Sequence, residues 1–166
     1  IRAATAAGLA PVGLLQEPIA AALAAMANSK NKNGQFLVYD IGGGTLDIAI
    51  VQSVNGTVNV VAHDGVNMLG GRDFDRTFLN SIVRPWLDSN FQITSDRQRD
   101  PSFQRLLRIA EFAAERTKIE LSTKEVATLF VSEEDARFKD ANGKEVYLDI
   151  EVRREHLEPL IAERVE

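Results

Sequence analysis

Three glycines and a threonine, residues 42–45, stand between an apolar run, "QFLVYDIG", and an alternating one, "LDIAIVQSV". An unbroken apolar run reads as a buried strand and a period of two as a strand with one covered face, so the glycines form the turn of a hairpin. Asp40 and Asp47 bracket that turn. Bare backbone there gathers several N–H groups in one concavity, and the missing Cβ atoms let an anion come within hydrogen-bonding distance. The two aspartates would then accept from magnesium-bound waters or help hold a monovalent ion, because hard cations prefer oxygen and magnesium keeps much of its hydration. Without a cation or donors nearby, each carboxylate would carry a desolvation cost. Taken without its aspartates, the same turn also fits a plain tight hairpin.

The rest of the chain organises around that hairpin. Residues 2–9 are small and read as a helix, and residues 8–16 ("GLAPVGLLQ") as a turn and a short apolar strand. Glu17 and Pro18 open an Ala-rich buried helix to Ala27, since proline at the first helical position lacks only an N–H that has no partner anyway. Residues 28–34 are polar turn formers and read as a mobile connector. Asn55-Gly56 supplies the positive-φ pair that a two-residue hairpin turn needs, with "TVNVVAHDG" as the returning strand. Beyond Gly70 the apolar period lengthens. Phe74, Phe78, Leu79, Ile82, Val83 and Trp86 predict one amphipathic helix, bent near Pro85. Asp100 and Pro101 cap and open a second helix of roughly 20 residues. "EVATLFV" and "KEVYLDIEV" read as strands, with Asn142-Gly143 as a turn, and a last helix begins near residue 152.

Composition narrows the partners. A length of 166 residues with 45% apolar content supports a real core, so the chain should fold as a soluble globular unit. A net charge of −5, with both signs mixed along the length, gives no basic patch for nucleic acid. No apolar run approaches the roughly 20 residues of a membrane span. The absence of cysteine excludes disulfides and thiolate zinc sites and fits a reducing compartment, making the cytoplasm the expected location. The chain starts without methionine and stops inside a helical pattern, so it is expected to be a piece of a longer protein.

Two further constellations carry chemistry. In "LGGRDFD", Gly70 and Gly71 precede a helix whose free N–H groups would favour an anion, although a loop glycine pair with Asp73 supporting the first turn explains the same residues. In "AERTKIELS", Glu115, Lys118 and Ser122 share one stripe of the long helix. A carboxylate, an amine and a hydroxyl so placed would read a ribose and a base edge, and a solvated Glu–Lys face is the plainer account. His63 and His156 have no second histidine at ligand spacing and read as surface or satisfied residues. Trp86 and the phenylalanines at helical spacing read as core.

"QEPIAAALA", "YDIGGGTLDIAI", "LGGRDFD" and "AERTKIELS", in that order, resemble the nucleotide-binding domain of DnaK-type seventy-kilodalton heat-shock chaperones, the heat shock protein 70 family, over nearly the whole chain. The resemblance implies an α/β fold, the actin-like (ribonuclease H-like) ATPase architecture, of which this chain would be most of the second lobe. Residues 1–71 would be part of the inner subdomain with a mixed sheet, 72–151 the smaller outer α+β subdomain, and 152–166 a truncated helix leading on. It implies ATP or ADP, Mg2+ and K+ as ligands. Gly42, Gly43, Gly44 and Thr45 match the second phosphate loop, with Gly70 and Gly71 beside phosphate and sugar. Asp40, Asp47 and Glu17 match carboxylates near magnesium waters or the monovalent ion, and Glu115, Arg116, Lys118 and Ser122 the grip on adenosine.

The resemblance also implies a parent ATPase whose nucleotide state controls binding of unfolded peptides, served by a J-domain co-chaperone and a nucleotide-exchange factor, the latter acting on the outer subdomain. The family's first phosphate loop and catalytic lysine would lie upstream of Ile1, so this chain alone is expected to be inactive. Leu46 replaces a usual phenylalanine and Arg72 a usual acidic residue, the second reversing a charge beside the cleft. An actin-like cytoskeletal or cell-division ATPase, or a sugar or acetate kinase of the same superfamily, is the alternative, sharing only the general hairpin logic.

Overall fold

The computed structural model describes residues 1–10, 13–27 and 32–165. It holds two compact units, Ile1–Asn67 and Met68–Glu166, in a mixed α/β arrangement with two small sheets.

The first unit begins with α1 (Arg2–Ala6), shorter than the predicted helix and without a buried residue. The strand expected within residues 8–16 is not formed among the described residues there, and Leu14 and Leu15 are exposed. A short apolar run with no neighbouring strand has nothing to pair with, which is why its composition misled. Helix α2 (Glu17–Ala27) has the predicted bounds but is not the buried helix expected: only Ala22 and Met26 are buried, because one face alone meets the sheet. Most of the predicted connector, residues 28–31, lies outside the described residues. Strands β1 (Gly34–Ile41), β2 (Thr45–Val54) and β3 (Thr57–Asn67) form an antiparallel meander in the order β1-β2-β3. The unbroken apolar run of β1 is not the buried strand expected: it has no buried residue, and Leu37, Tyr39 and Ile41 are exposed on the face that α2 does not cover. The expected mixed sheet is therefore corrected to a purely antiparallel one among the described residues, because successive strands joined by tight turns can pair only that way. Asn55 and Gly56 both take positive φ, 49° and 83°, as the hairpin requires. One sheet face carries Phe36, Val38, Ala49, Val51, Val58 and Val60, packed with Ala22 and Met26 of α2.

In the second unit, the predicted amphipathic helix is three pieces: α3 (Gly71–Phe78), a π-helical turn (Leu79–Val83) and α4 (Arg84–Asn90). The wider turn falls just before Pro85, whose ring crowds the carbonyl four residues back and whose nitrogen donates nothing, so the irregularity has a local cause. After a single turn, α5 (Ser95–Gln98), helix α6 (Pro101–Leu121) starts where predicted, with Asp100 Oδ1 accepting from the Ser102 N–H at 2.8 Å. Strand β4 (Val126–Val131), the one-turn α7 (Glu133–Ala136), β5 (Leu148–Arg153) and α8 (Arg154–Val165) complete it. The second predicted hairpin is shorter than expected, since regular pairing starts only at Leu148. Leu129, Leu148 and Val152 from the sheet meet Leu106, Ala110 and Ala114 of α6 in one core with Phe78 and Val83. Tyr147 packs edge to face with Trp86 and Phe91, which are tilted against each other, all with ring centroids 5.5 to 6.0 Å apart, so Trp86 serves packing as read.

Asp140 ties the loop between the two strands. Its buried carboxylate accepts backbone N–H groups from Gln92, Asn142 and Lys144 at 2.9 to 3.0 Å.

Candidate functional site

The glycine turn is closed by the Gly42 N–H donating to the Thr45 carbonyl at 2.9 Å. Gly42 does not take a left-handed φ, and an added Cβ would meet nothing nearer than the Thr45 carbonyl oxygen at 3.7 Å. Neither backbone strain nor crowding within the chain calls for glycine there, which leaves open approach from outside as its use.

Asp40 pairs with Asp47 across β1 and β2, and directly opposed residues share a face. It is the face of Phe36, Val38, Ala49 and Val51, so the apolar side of the sheet that α2 covers turns acidic at its turn end. Glu17, in the first turn of α2, lines the same cavity of about 300 Å³ with Asp40, Asp47, His63 and Asp64. Two like charges opposed on a sheet repel. The Thr45 hydroxyl relieves part of this by donating to Asp47 Oδ2 at 2.9 Å. Across the sheet Asp47 faces Gly65, where a Cβ would sit 2.9 Å from Asp47 Oδ1 and from the Leu46 carbonyl oxygen. Among the described residues no three His, Asp or Glu groups converge as direct metal ligands. Carboxylates around an open cavity suit a hydrated cation held through its waters, which magnesium tolerates.

The site residues of the second unit are arranged differently. Gly70 is the extended N-cap residue of α3 and its carbonyl accepts from Asp73 and Phe74; Asp73 lies in the first turn without a side-chain cap bond. Lys118 reaches from α6 to this turn. Its Nζ lies 2.6 Å from Asp75 Oδ1 and donates to the Gly71 carbonyl at 3.0 Å. Burial pushes the Asp75 carboxyl above the ordinary carboxylate value and the negative Glu115 adds to the rise, while the hydrogen bond and charge of Lys118 pull it back. The Ser122 hydroxyl donates to the Ile119 carbonyl at the end of α6.

The predicted stripe does not face one groove. Glu115 lines a groove with Arg72, Asp75, Arg76, Arg108 and Phe112, whereas Lys118 and Ser122 line another with Ile119, Leu121, Leu157 and Ile161. Arg116 lines neither. Arg72 is exposed, and Leu46, in place of a larger ring, is buried.

Sequence reasoning missed Asp75, Ile119, Gly65 and the place of His63. Ile119 left a signal, an apolar side chain 60% exposed beside a polar stripe. His63 is exposed as read, but it stands among the carboxylates because it pairs with Ala49 on the α2 face. Gly65 and Asp75 left none, since both matter through partners distant in sequence.

A family model described as "Hsp70 protein" matches residues 1–166. The protein named "Chaperone protein DnaK" from Thermotoga neapolitana is 34% identical over 163 residues, 96% of this chain and 25% of its own length. That of Anaplasma marginale is 36% identical over 168 residues, 99% of this chain and 24% of its own, and that of Thermosipho africanus 41% over 118 residues, 71% and 19%. This chain spans about a quarter of the length of such relatives.

Proposed function

The chain belongs to the Hsp70 protein family, and from that premise we propose that it is most of the second lobe of an actin-like nucleotide-binding domain in a DnaK-like chaperone. Residues 1–71 are part of the inner subdomain, 72–151 the outer one, and 152–166 a helix leading to the rest of the domain. ATP or ADP is the ligand, with Mg2+ and K+. Gly42, Gly43, Gly44 and Thr45 offer backbone donors to phosphate, with Gly70 and Gly71 beside phosphate and sugar. Asp40, Asp47 and Glu17 accept from the water shell of the cations. Glu115, Lys118 and Ser122 take adenosine, with Arg116 at the flank.

One observation carries this reading: Asp40 and Asp47 are opposed on one sheet face across the glycine turn, over a cavity that also holds Glu17. Opposed carboxylates beside a glycine-rich turn suit a ligand in which anion and cation arrive together, as in a magnesium nucleotide. In the parent protein the nucleotide state of this domain controls binding of unfolded peptides, with a J-domain co-chaperone and a nucleotide-exchange factor as partners. No helix among the described residues is long and apolar enough to cross a membrane.

The test is an NMR titration of this chain with ADP and magnesium, with Glu115→Ala as control. Shifts are expected at residues 42–45 and at Glu115, Lys118 and Ser122, weaker at the adenosine end in the control. No shifts at millimolar nucleotide would refute a half-site formed by this chain alone. Hydrolysis needs charge neutralised from several sides at once. We expect no phosphate release above a no-protein control, and steady release from clean material would overturn that.

A further inference from the structure

The ammonium of Lys118 has three donors. One donates to the Gly71 carbonyl at 3.0 Å, and Asp75 Oδ1 lies 2.6 Å from the nitrogen as an ion pair. Asp75 is 3% exposed and the Lys118 side chain 18%, so the pair is screened little by water. Glu115 lies one turn earlier on the same helix, lining the groove that Asp75 also lines. A lysine with no carboxylate beside it is a compact point charge well suited to phosphate. Here a buried carboxylate stands 2.6 Å from the ammonium, and an approaching phosphate would meet a neutral pair rather than a bare cation. Arg72, which lines the same groove as Asp75, is exposed, and Arg76 reaches toward Glu111 at 3.8 Å. Solvent weakens both at the distance of the Lys118 ammonium.

We propose that Asp75 is a positioning residue that cancels the charge of Lys118 and leaves its remaining N–H to a neutral acceptor, making Lys118 select the uncharged nucleoside over phosphate. The inference rests on the adenosine role proposed above for Lys118. Asp75 touches no ligand; it acts through the ammonium. A ribose hydroxyl or a base nitrogen accepts one N–H without bringing charge, whereas phosphate needs the full cation that Asp75 neutralises.

The chain, labelled with 15N, is titrated separately with adenosine and with inorganic phosphate while the Lys118 ammonium and the backbone amides are followed. In the wild type the Lys118 ammonium gives a distinct, slowly exchanging signal, adenosine shifts it, and phosphate does not. In Asp75→Asn the phosphate affinity read at Lys118 rises about tenfold and adenosine weakens. The gain for phosphate disappears in the Asp75→Asn, Lys118→Gln double variant, in which a neutral pair replaces the ion pair. A purely structural Asp75 would weaken both ligands together. A phosphate response in Asp75→Asn equal to wild type, or a gain that survives in the double variant, overturns the proposal. So does a wild-type ammonium signal lost to rapid exchange at low temperature, a readout that holds even where Asp75→Asn fails to fold. If adenosine produces no shift in the wild type, the adenosine role itself falls. The phosphate titrations decide the part of Asp75 independently of that result.

Discussion

Arg154, the first residue of α8, donates from Nε to the carbonyl oxygen of Leu121, the last residue of α6, at 2.7 Å. Its second arm donates to the Lys124 carbonyl at 3.0 Å, and its third faces Glu125 at the same distance. A helix end leaves carbonyls without partners and carries partial negative charge, so a guanidinium there both satisfies and neutralises it.

Replacing that residue, Arg154→Ala, should destabilise the second unit by about 1–3 kcal/mol, nearly all from the orphaned carbonyls. Glu125 is 80% exposed and should add little. Urea unfolding followed by the fluorescence of Trp86 measures the loss. Glu125→Gln, as comparison, should leave the midpoint almost unmoved, and an equal loss in both variants would contradict the capping account.

Gly65→Ala should strain the first sheet. The new Cβ would lie 2.9 Å from Asp47 Oδ1 and from the backbone oxygen of Leu46, and backbone cannot swing aside as a side chain can. We expect about 1–3 kcal/mol of destabilisation with amide shifts at Thr45 and Asp47. A variant as stable as wild type, with those amides unmoved, would show that the crowding is relieved cheaply.

Gly42→Ala should do the reverse. Space exists for its Cβ, so stability should change by no more than about 0.5 kcal/mol. The response of residues 42–45 to magnesium ADP should nevertheless fall, because the methyl group occupies the approach side of the N–H groups. Undiminished shifts would mean that the ligand does not come to this turn.

Asp140→Asn should lower stability at neutral pH, since an amide offers one accepting oxygen where the carboxylate offers two. The three backbone donors, that of Gln92 first, hold the Asp140 carboxyl below its ordinary value of 3.8. A folded-state value below the unfolded one means stability that is present above about pH 4 and lost as the pH falls through the folded value. The unfolding midpoints of wild type and variant should therefore differ at pH 7 and converge in acid. A gap that stays constant down to pH 3 would exclude the linkage.

Local rules carried far in this chain. Asn55-Gly56, the Asp100 cap before Pro101, the Ala-rich α2 and the alternation of β2 were legible because each depends on residues within one turn of each other. Asp40 and Asp47 were legible as neighbours of the turn, whereas their direct opposition came from the register of the folded hairpin. The failures were of another kind. Residues 13–16 look like a strand but find no partner, and the backbones of Lys139 and Glu145 pair as an isolated bridge rather than a ladder, so the last hairpin narrows to β5.

The sequence by itself determined most of the elements, the turns and the motifs that mark the family, because period, φ preference and capping are properties of a few consecutive residues. Only the tertiary structure decided which charges meet. Asp75 takes Lys118, Asp140 takes three backbone donors, Arg154 takes the end of α6, and Gly65 makes room for Asp47. Each of these joins residues far apart in the chain, and the free energy of a buried charge depends on what packing brings beside it rather than on its neighbours in sequence.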